Sequence, residues 1–236
     1  MKVAIMQPYF LPYLGYWQLI NAVDIFVLYD DVSFIKKGWI NRNRIIVGRK
    51  EYMFTLPLQK VSQNRNINDH FFAGQEGKVK LWKTVKSAYS HSPMWTSVSE
   101  LFEKMILNPE ENIAAYIERS ILDICRYLDI STKIMISSDI KKEEDLKGQD
   151  KIIYICKKLG ADAYVNPAGG TDLYHDENFK SNGLKLEFLF PVLNKYTQNS
   201  EVFIPGLSIL DMICNMEREE VKIQLKSFNL MKGETV

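Results

Sequence analysis

Histidine, cysteine and net charge are all scarce in this chain, and each scarcity removes a class of function. The three histidines, His70, His91 and His175, stand alone in sequence, so no metal-ligand spacing exists among them and no metal site is expected. The three cysteines, Cys125, Cys156 and Cys214, lie far apart in apolar contexts. They lack both the paired spacing of a zinc site and the even count of a disulfide framework, and read as buried reduced thiols. With 30 Lys+Arg against 29 Asp+Glu, a formal charge of +1, nothing draws the chain globally to nucleic acid or a membrane surface, so any anion site is local. No uncharged apolar run approaches the roughly 18 residues of a membrane span. Lys2 precedes only four apolar residues before Gln7 and Pro8, which is not a secretory leader, and a cytoplasmic protein is expected. Internal repeats, low-complexity tracts and flexible linkers are also missing.

What remains is an ordinary globular composition, 46% hydrophobic and 25% charged over 236 residues, enough for a sizeable core. We expect one α/β domain over residues 1–236. Val3 to Met6 is a continuous apolar run of the kind found in buried parallel strands. Leu14, Trp17, Ile20 and Val23 recur at helical spacing, and Asp24 to Tyr29 is apolar again. Strand, helix and strand make a βαβ unit with a parallel sheet. Ligands of such sheets collect at the carboxyl ends of the strands, which places Gln7, Pro8, Tyr9, Asp30 and Asp31 on one rim.

Residues 44–57 read as a hairpin with a glycine-containing turn. Helical spacing over 77–90 and 95–107 points to a largely helical insertion near residues 60–130. Asn108-Pro109-Glu110-Glu111 predicts a helix start at that point, running to about Leu128. A strand follows at 133–137, a helix at 149–159 closed by Gly160, and strands at 162–165 and 184–190. A short apolar helix covers 207–214. The expected fold is a three-layer α/β, Rossmann-like parallel sheet carrying the insertion.

Five groups carry candidate chemistry. The loop Gln7 to Gly15, with Tyr9, Tyr13 and Tyr16, precedes a helix N-terminus that offers free amides to an anion; Gly15 allows close approach of a phosphate or of neighbouring backbone. Asp30 and Asp31 are open to a base, metal or hydroxyl-binding role, but adjacent strand residues face opposite ways. Lys36, Lys37, Arg42 and Arg44 interleave with Trp39, Asn41 and Asn43, a pattern suited to a diphosphate and a stacked ring, or to a basic surface hairpin. Asn166, Gly169 and Gly170 form either an amide-lined anion nest or a tight turn, with Tyr174 beside them. Ser208 with Asp211 three residues on reads as a helix cap, or as a group delivered to the rim.

Tyr13-Leu14-Gly15-Tyr16-Trp17-Gln18-Leu19 resembles the His-x-Gly-His-x-x-Leu motif of HIGH-superfamily nucleotidyltransferases, with both histidines replaced by tyrosine. That resemblance implies a HUP-like variant of the Rossmann sheet. Tyrosine, with a reference pKa of about 10, does not supply the imidazole chemistry of adenylyl transfer. Five further segments resemble the WbqC-like family: Met6 to Ile20, Asp24 to Asp31, Lys37 to Ile45, Tyr164 to Gly170 and Phe203 to Asp211. The resemblance spans nearly the whole chain and implies a bacterial role in O-antigen or other surface-polysaccharide biosynthesis. The function expected from it is acyl or aminoacyl transfer to a nucleotide-linked amino sugar, with the sugar nucleotide as the small-molecule partner and an acyl donor or ATP as co-substrate. Lys36, Arg42 and Arg44 would hold the diphosphate, Gln7, Tyr9 and Asn166 would orient the sugar or donor, and Asp30 or Asp31 would be the base. ATP-dependent adenylylation and a non-catalytic scaffold role stay open beside it, as does an oligomer.

Overall fold

A computed structural model describes residues 1–142 and 146–233. In chain order it forms β1 (Lys2–Met6), α1 (Leu14–Asn21), β2 (Ile25–Leu28), β3 (Arg42–Val47), β4 (Lys50–Thr55), α2 (Glu76–Tyr89), α3 (Trp95–Ile106), α4 (Ile113–Tyr127) and β5 (Lys133–Ile136). There follow α5 (Gly148–Lys158), β6 (Ala163–Pro167), α6 (Asp176–Ser181), β7 (Lys185–Pro191), α7 (Ile209–Asn215), α8 (Arg218–Gln224) and β8 (Phe228–Lys232).

Six strands make one sheet in the order β5-β2-β1-β6-β7-β8, parallel except for β8, which runs antiparallel to β7. Helices cover both faces, so the chain has the three-layer Rossmann-like architecture that its βαβ pattern predicts. On one face Ala4, Phe26, Leu28, Val165 and Leu189 pack with α1, α7 and α8. On the other, Val3, Ile5, Val27, Tyr164 and Phe188 pack with α5 and Phe179 of α6. Period-two alternation of the strands explains this split. All three cysteines are free and buried, and burial pushes the Cys125 and Cys156 thiols up to about 12.

The strand order reverses between β1 and β6, and the ladder there is short. β1 pairs β2 at four positions, Val3 with Ile25 through Met6 with Leu28, but pairs β6 only at Lys2 with Ala163 and Val3 with Tyr164. The two strands therefore part toward their carboxyl ends. Gln18 of α1 bridges this seam from one face: its buried Nε2 donates to the carbonyls of Val192 (3.1 Å), Gln224 (2.9 Å) and Ser227 (2.8 Å).

The excursion between β2 and β5 carries the β3-β4 hairpin and α2 to α4. The helix expected from Asn108 starts later, at Ile113, with Asn112 as its cap accepting from the Ala114 and Ala115 amides. Lys78 accounts for the difference. Its buried ammonium donates to the carbonyls of Asn108 (2.8 Å) and Glu110 (2.6 Å) between the rings of Phe72 and Tyr116. Turning those carbonyls inward withholds them from an α-helix. Burial lowers the Lys78 pKa to about 8, against the pull of Glu110 and Glu111. The sequence reading also passed over α6, α8 and β8, all short elements near the carboxyl end.

Candidate functional site

The loop that leaves β1 crosses the carboxyl edge of the sheet in a strained conformation. Leu11 has φ +45°, a left-handed conformation that costs a β-carbon residue roughly 1–2 kcal/mol. Two buried side chains hold it. Asn43 Nδ2 donates to the carbonyls of Phe10 (3.0 Å) and Leu11 (2.7 Å), and Ser208 Oγ donates to Leu11 (2.8 Å). Asn43 Oδ1 in turn accepts from the Arg44 amide at 2.8 Å. Ser208 also caps α7 by accepting from the Leu210 amide. Three segments distant in sequence are thus bound together: the β1 loop, the start of β3 and the turn before α7.

Between them lies a cavity of about 190 Å³ lined by Tyr9, Pro12, Tyr13, Trp39, Asn43, Arg44 and Gly206. Sites that enclose a drug-sized ligand start near 300 Å³, so this one holds roughly a single ring. Trp39 is flanked by two guanidinium groups, Arg42 at 5.5 Å and Arg44 at 5.6 Å from its ring centre. Arg44 is held by Glu51 (3.0 Å) and by the carbonyl of Gly206 (3.0 Å), while its Nε is buried with no partner among the described residues. Burial raises the phenol pKa of Tyr9, helped by neighbouring Tyr13, and of Tyr13 itself. Both phenols are therefore hydrogen-bond donors at neutral pH.

Gly15 serves this cavity indirectly. A β-carbon there would lie 2.5 Å from the Tyr13 ring, so the missing side chain makes room for that ring across the first turn of α1. Tyr16 is buried beneath the loop, donates to the Gln7 carbonyl at 2.9 Å, and packs on Tyr9 and Phe26. Pro8 is buried, and the Gln7 side chain has no hydrogen-bond partner among the described residues. Asn41 turns away to the Leu56 carbonyl (2.7 Å), Arg42 Nε donates to the Gly38 carbonyl, and Lys36 is exposed.

The two adjacent aspartates lie just past the end of β2, their side chains part to different partners, and neither lines the cavity. Asp30, expected as a base, is buried with both oxygens engaged: Oδ1 accepts from the Ser138 amide, and Oδ2 accepts from Ser138 Oγ and Asn68 Nδ2. It ties the ends of β2 and β5 to the insertion. Asp31 meets the ammonium groups of Lys142 and Lys151, each at 3.1 Å. Burial acts to raise its pKa, but hydrogen bonding from Ser137 and Lys142 and the charges of both lysines outweigh it and hold the carboxyl below the usual range. An Asp31 so stabilised as a carboxylate is a weak proton acceptor.

Asn166 and Pro167 end β6, and the chain passes directly into a 3-10 helix, Ala168–Leu173. The Asn166 side chain accepts from Tyr164 Oη and donates to the Pro167 carbonyl; a β-carbon on Gly170 would fall 2.0 Å from it. Nothing packs within 4 Å of a β-carbon built on Gly169. Tyr174 Oη lies 3.3 Å from Tyr164 Oη, and His175 is exposed.

A sequence model of the WbqC-like protein family matches residues 7–223. The chain belongs to that family. An uncharacterized protein of Mycobacterium tuberculosis, Rv1507c, is 27% identical over 221 residues, covering 92% of this chain and 95% of its own length. No solved structure matches. Among the described residues of this WbqC-like chain no helix is long and apolar enough to cross a membrane.

Asp211 of this family member does not reach back to the helix start, nor does it face the rim. It is buried and accepts from Tyr89 Oη (2.8 Å) and Tyr196 Oη (2.7 Å). Burial raises its pKa against the lowering effect of those phenols and Gln198. An acid whose folded pKa exceeds its unfolded one stabilises most below the unfolded value, about 3.9, and that contribution is lost as pH rises through the folded value. Urea melts from acid to neutral pH should show the stability of the wild type falling relative to Asp211→Asn. A difference that stays flat with pH would remove this account of the cluster.

Sequence reasoning places Asn43 only as a residue interleaved with the basic cluster, not as the group that holds the β1 loop, and it misses Pro12, Gly206, Lys142 and Lys151 as site residues. A polar residue at an inward position of a strand was the signal for Asn43.

Proposed function

We propose that this WbqC-like protein acts in bacterial surface-polysaccharide biosynthesis by binding a nucleotide-linked amino sugar, whose amine then receives an acyl or aminoacyl group. The observation that carries this reading is the convergence of Tyr9, Tyr13, Trp39 and Arg44 from separate segments on one ring-sized cavity at the sheet's carboxyl edge. One ring of the ligand stacks on Trp39, the two neutral phenols donate to sugar hydroxyls, and Arg44 faces negative charge. The exposed Lys36 and the Arg42 guanidinium lie outside the cavity, where a diphosphate would extend.

In the reaction the amine nitrogen attacks the acyl carbon of an activated donor, the donor's leaving group departs, and the nitrogen gives up one proton. Asp30 and Asp31 are both engaged elsewhere, and that observation favours a second reading, a binding protein of glycan assembly without catalysis. Titration calorimetry against nucleoside-diphosphate sugars, followed by mass spectrometry with ATP or acyl donors present, separates the readings. Binding with an acyl mass gain supports transfer, binding without one supports the second reading, and no binding across the panel overturns both.

Gly15→Ala forces the Tyr13 ring off the helix turn. The same titration should show roughly tenfold weaker binding, about 1.4 kcal/mol, with little change in melting temperature, because alanine itself favours the helix. Undiminished affinity would show that Tyr13 does not touch the ligand.

A further inference from the structure

β3 and β4 form a two-stranded sheet of their own, and two strands alone are marginal in water. The β3 side is covered: the Ile46 amide donates to Tyr89 Oη at 3.0 Å and the Arg44 carbonyl accepts from the Ser208 amide at 2.9 Å. Those bonds turn residues 42, 44 and 46 outward, so in this antiparallel ladder their partners Thr55, Met53 and Glu51 turn outward on the opposite edge. Among the described residues nothing hydrogen-bonds to the backbone of those three. The edge is uncovered, and it carries two exposed large apolar side chains, Tyr52 at 39% and Met53 at 41%. Beside it, between β4 and α2, lies a cavity of about 230 Å³ lined by Tyr52, Phe54, Pro57, Lys80, Leu81 and Thr84.

We propose that β4 is a self-association edge on which a second copy of this chain pairs antiparallel about a two-fold axis through Met53. In that register Met53 meets Met53, Glu51 meets Thr55, and Tyr52 of each copy meets Phe54 of the other. Each Tyr52 then lies on the cavity side of the other copy's strand and fills the space against Pro57 and Leu81. Charge disfavours one alternative register. Centring on Glu51 would oppose two carboxylates, whereas centring on Met53 opposes no like charges. It also sets Glu51 of the second copy two strand spacings, about 10 Å, from Arg42, the β3 partner of Thr55. The product is a four-stranded sheet with an isologous interface.

Sedimentation of the full chain from about 1 to about 200 µM, a range suited to an interface near the lower end of standard size, should show the mass doubling. Met53→Pro removes a single outward amide that no bond among the described residues uses, so it should keep the parent's circular dichroism and melting temperature yet stay at monomer mass. The register has its own test. Facing residues of a hydrogen-bonded antiparallel pair lie about 5.5 Å apart at Cα, within disulfide range, so Met53→Cys should oxidise to a covalent dimer and Thr55→Cys should not. A wild-type monomer throughout the range, a dimer that survives Met53→Pro, or equal cross-linking of the two cysteine variants each overturns the proposal. Pairing of the edge with an extended peptide from another protein, without self-association, would do so as well.

Discussion

Asn43→Ala lowers the unfolding free energy by about 3 kcal/mol and opens the cavity at the sheet's carboxyl edge. The amide makes three hydrogen bonds: two buried ones donated to Phe10 and Leu11 and one half-buried, accepted from the Arg44 amide. Leu11 keeps its bond from Ser208, but the Phe10 carbonyl and the Arg44 amide lose a partner, at about 1–3 kcal/mol for each buried group left unmade. The strain in Leu11 adds to the loss, because the left-handed conformation is then held from one side only. Asn43→Asp should be no better, since a carboxylate accepts but does not donate to the two carbonyls. Urea denaturation of both variants measures the effect; a loss under about 1 kcal/mol in Asn43→Ala would mean that the loop is held by something else.

Gln18→Leu has a smaller but still large expected cost, about 2 kcal/mol, for a different reason. One amide nitrogen serves three carbonyls, that of Val192 just after β7 and those of Gln224 and Ser227 where α8 passes to β8. Leucine fills the same buried space but removes that donor: the Ser227 carbonyl keeps a bond from the Val192 amide and the Gln224 carbonyl one from the Ser227 amide, which leaves the Val192 carbonyl without a partner among the described residues. The variant also removes Gln18 Oε1, which is buried with no partner among the described residues, and that offsets part of the loss. Thermal melting should register the difference as several degrees. A melt unchanged within about one degree would show that the carbonyls find other donors.

Sequence periodicity exposes the framework here because the strands are buried on both faces and the helices on one. Val3 to Met6 and Ile25 to Leu28 are apolar throughout, and such runs leave little choice of structure. β8 escapes for the opposite reason: only one edge of it is paired and its residues are mostly exposed, so no apolar pattern marks it. The helix start at Asn108 fails because a buried lysine from another helix competes for the same carbonyls. In the candidate site, Tyr9, Tyr13, Trp39 and Arg44 are legible as aromatic and basic residues placed by a βαβ edge. Asp30 is not, since its partners Asn68 and Ser138 arrive from segments 38 and 108 residues away. Acidic residues at strand ends look catalytic in a sequence whether or not a distant loop has already claimed them.

The short ladder between β1 and β6 gives the molecule a mechanical grain. One slab, β5-β2-β1, meets the other, β6-β7-β8, at two ladder positions, with further ties from the Gln18 strap, the Lys2–Glu187 ion pair and the Met1 carbonyl, which accepts from the Asp162 and Ala163 amides. Stress applied across the sheet concentrates where bonds are fewest. The sheet therefore has its fewest cross-strand bonds between the carboxyl ends of β1 and β6, the edge where Gln7 and Asn166 stand.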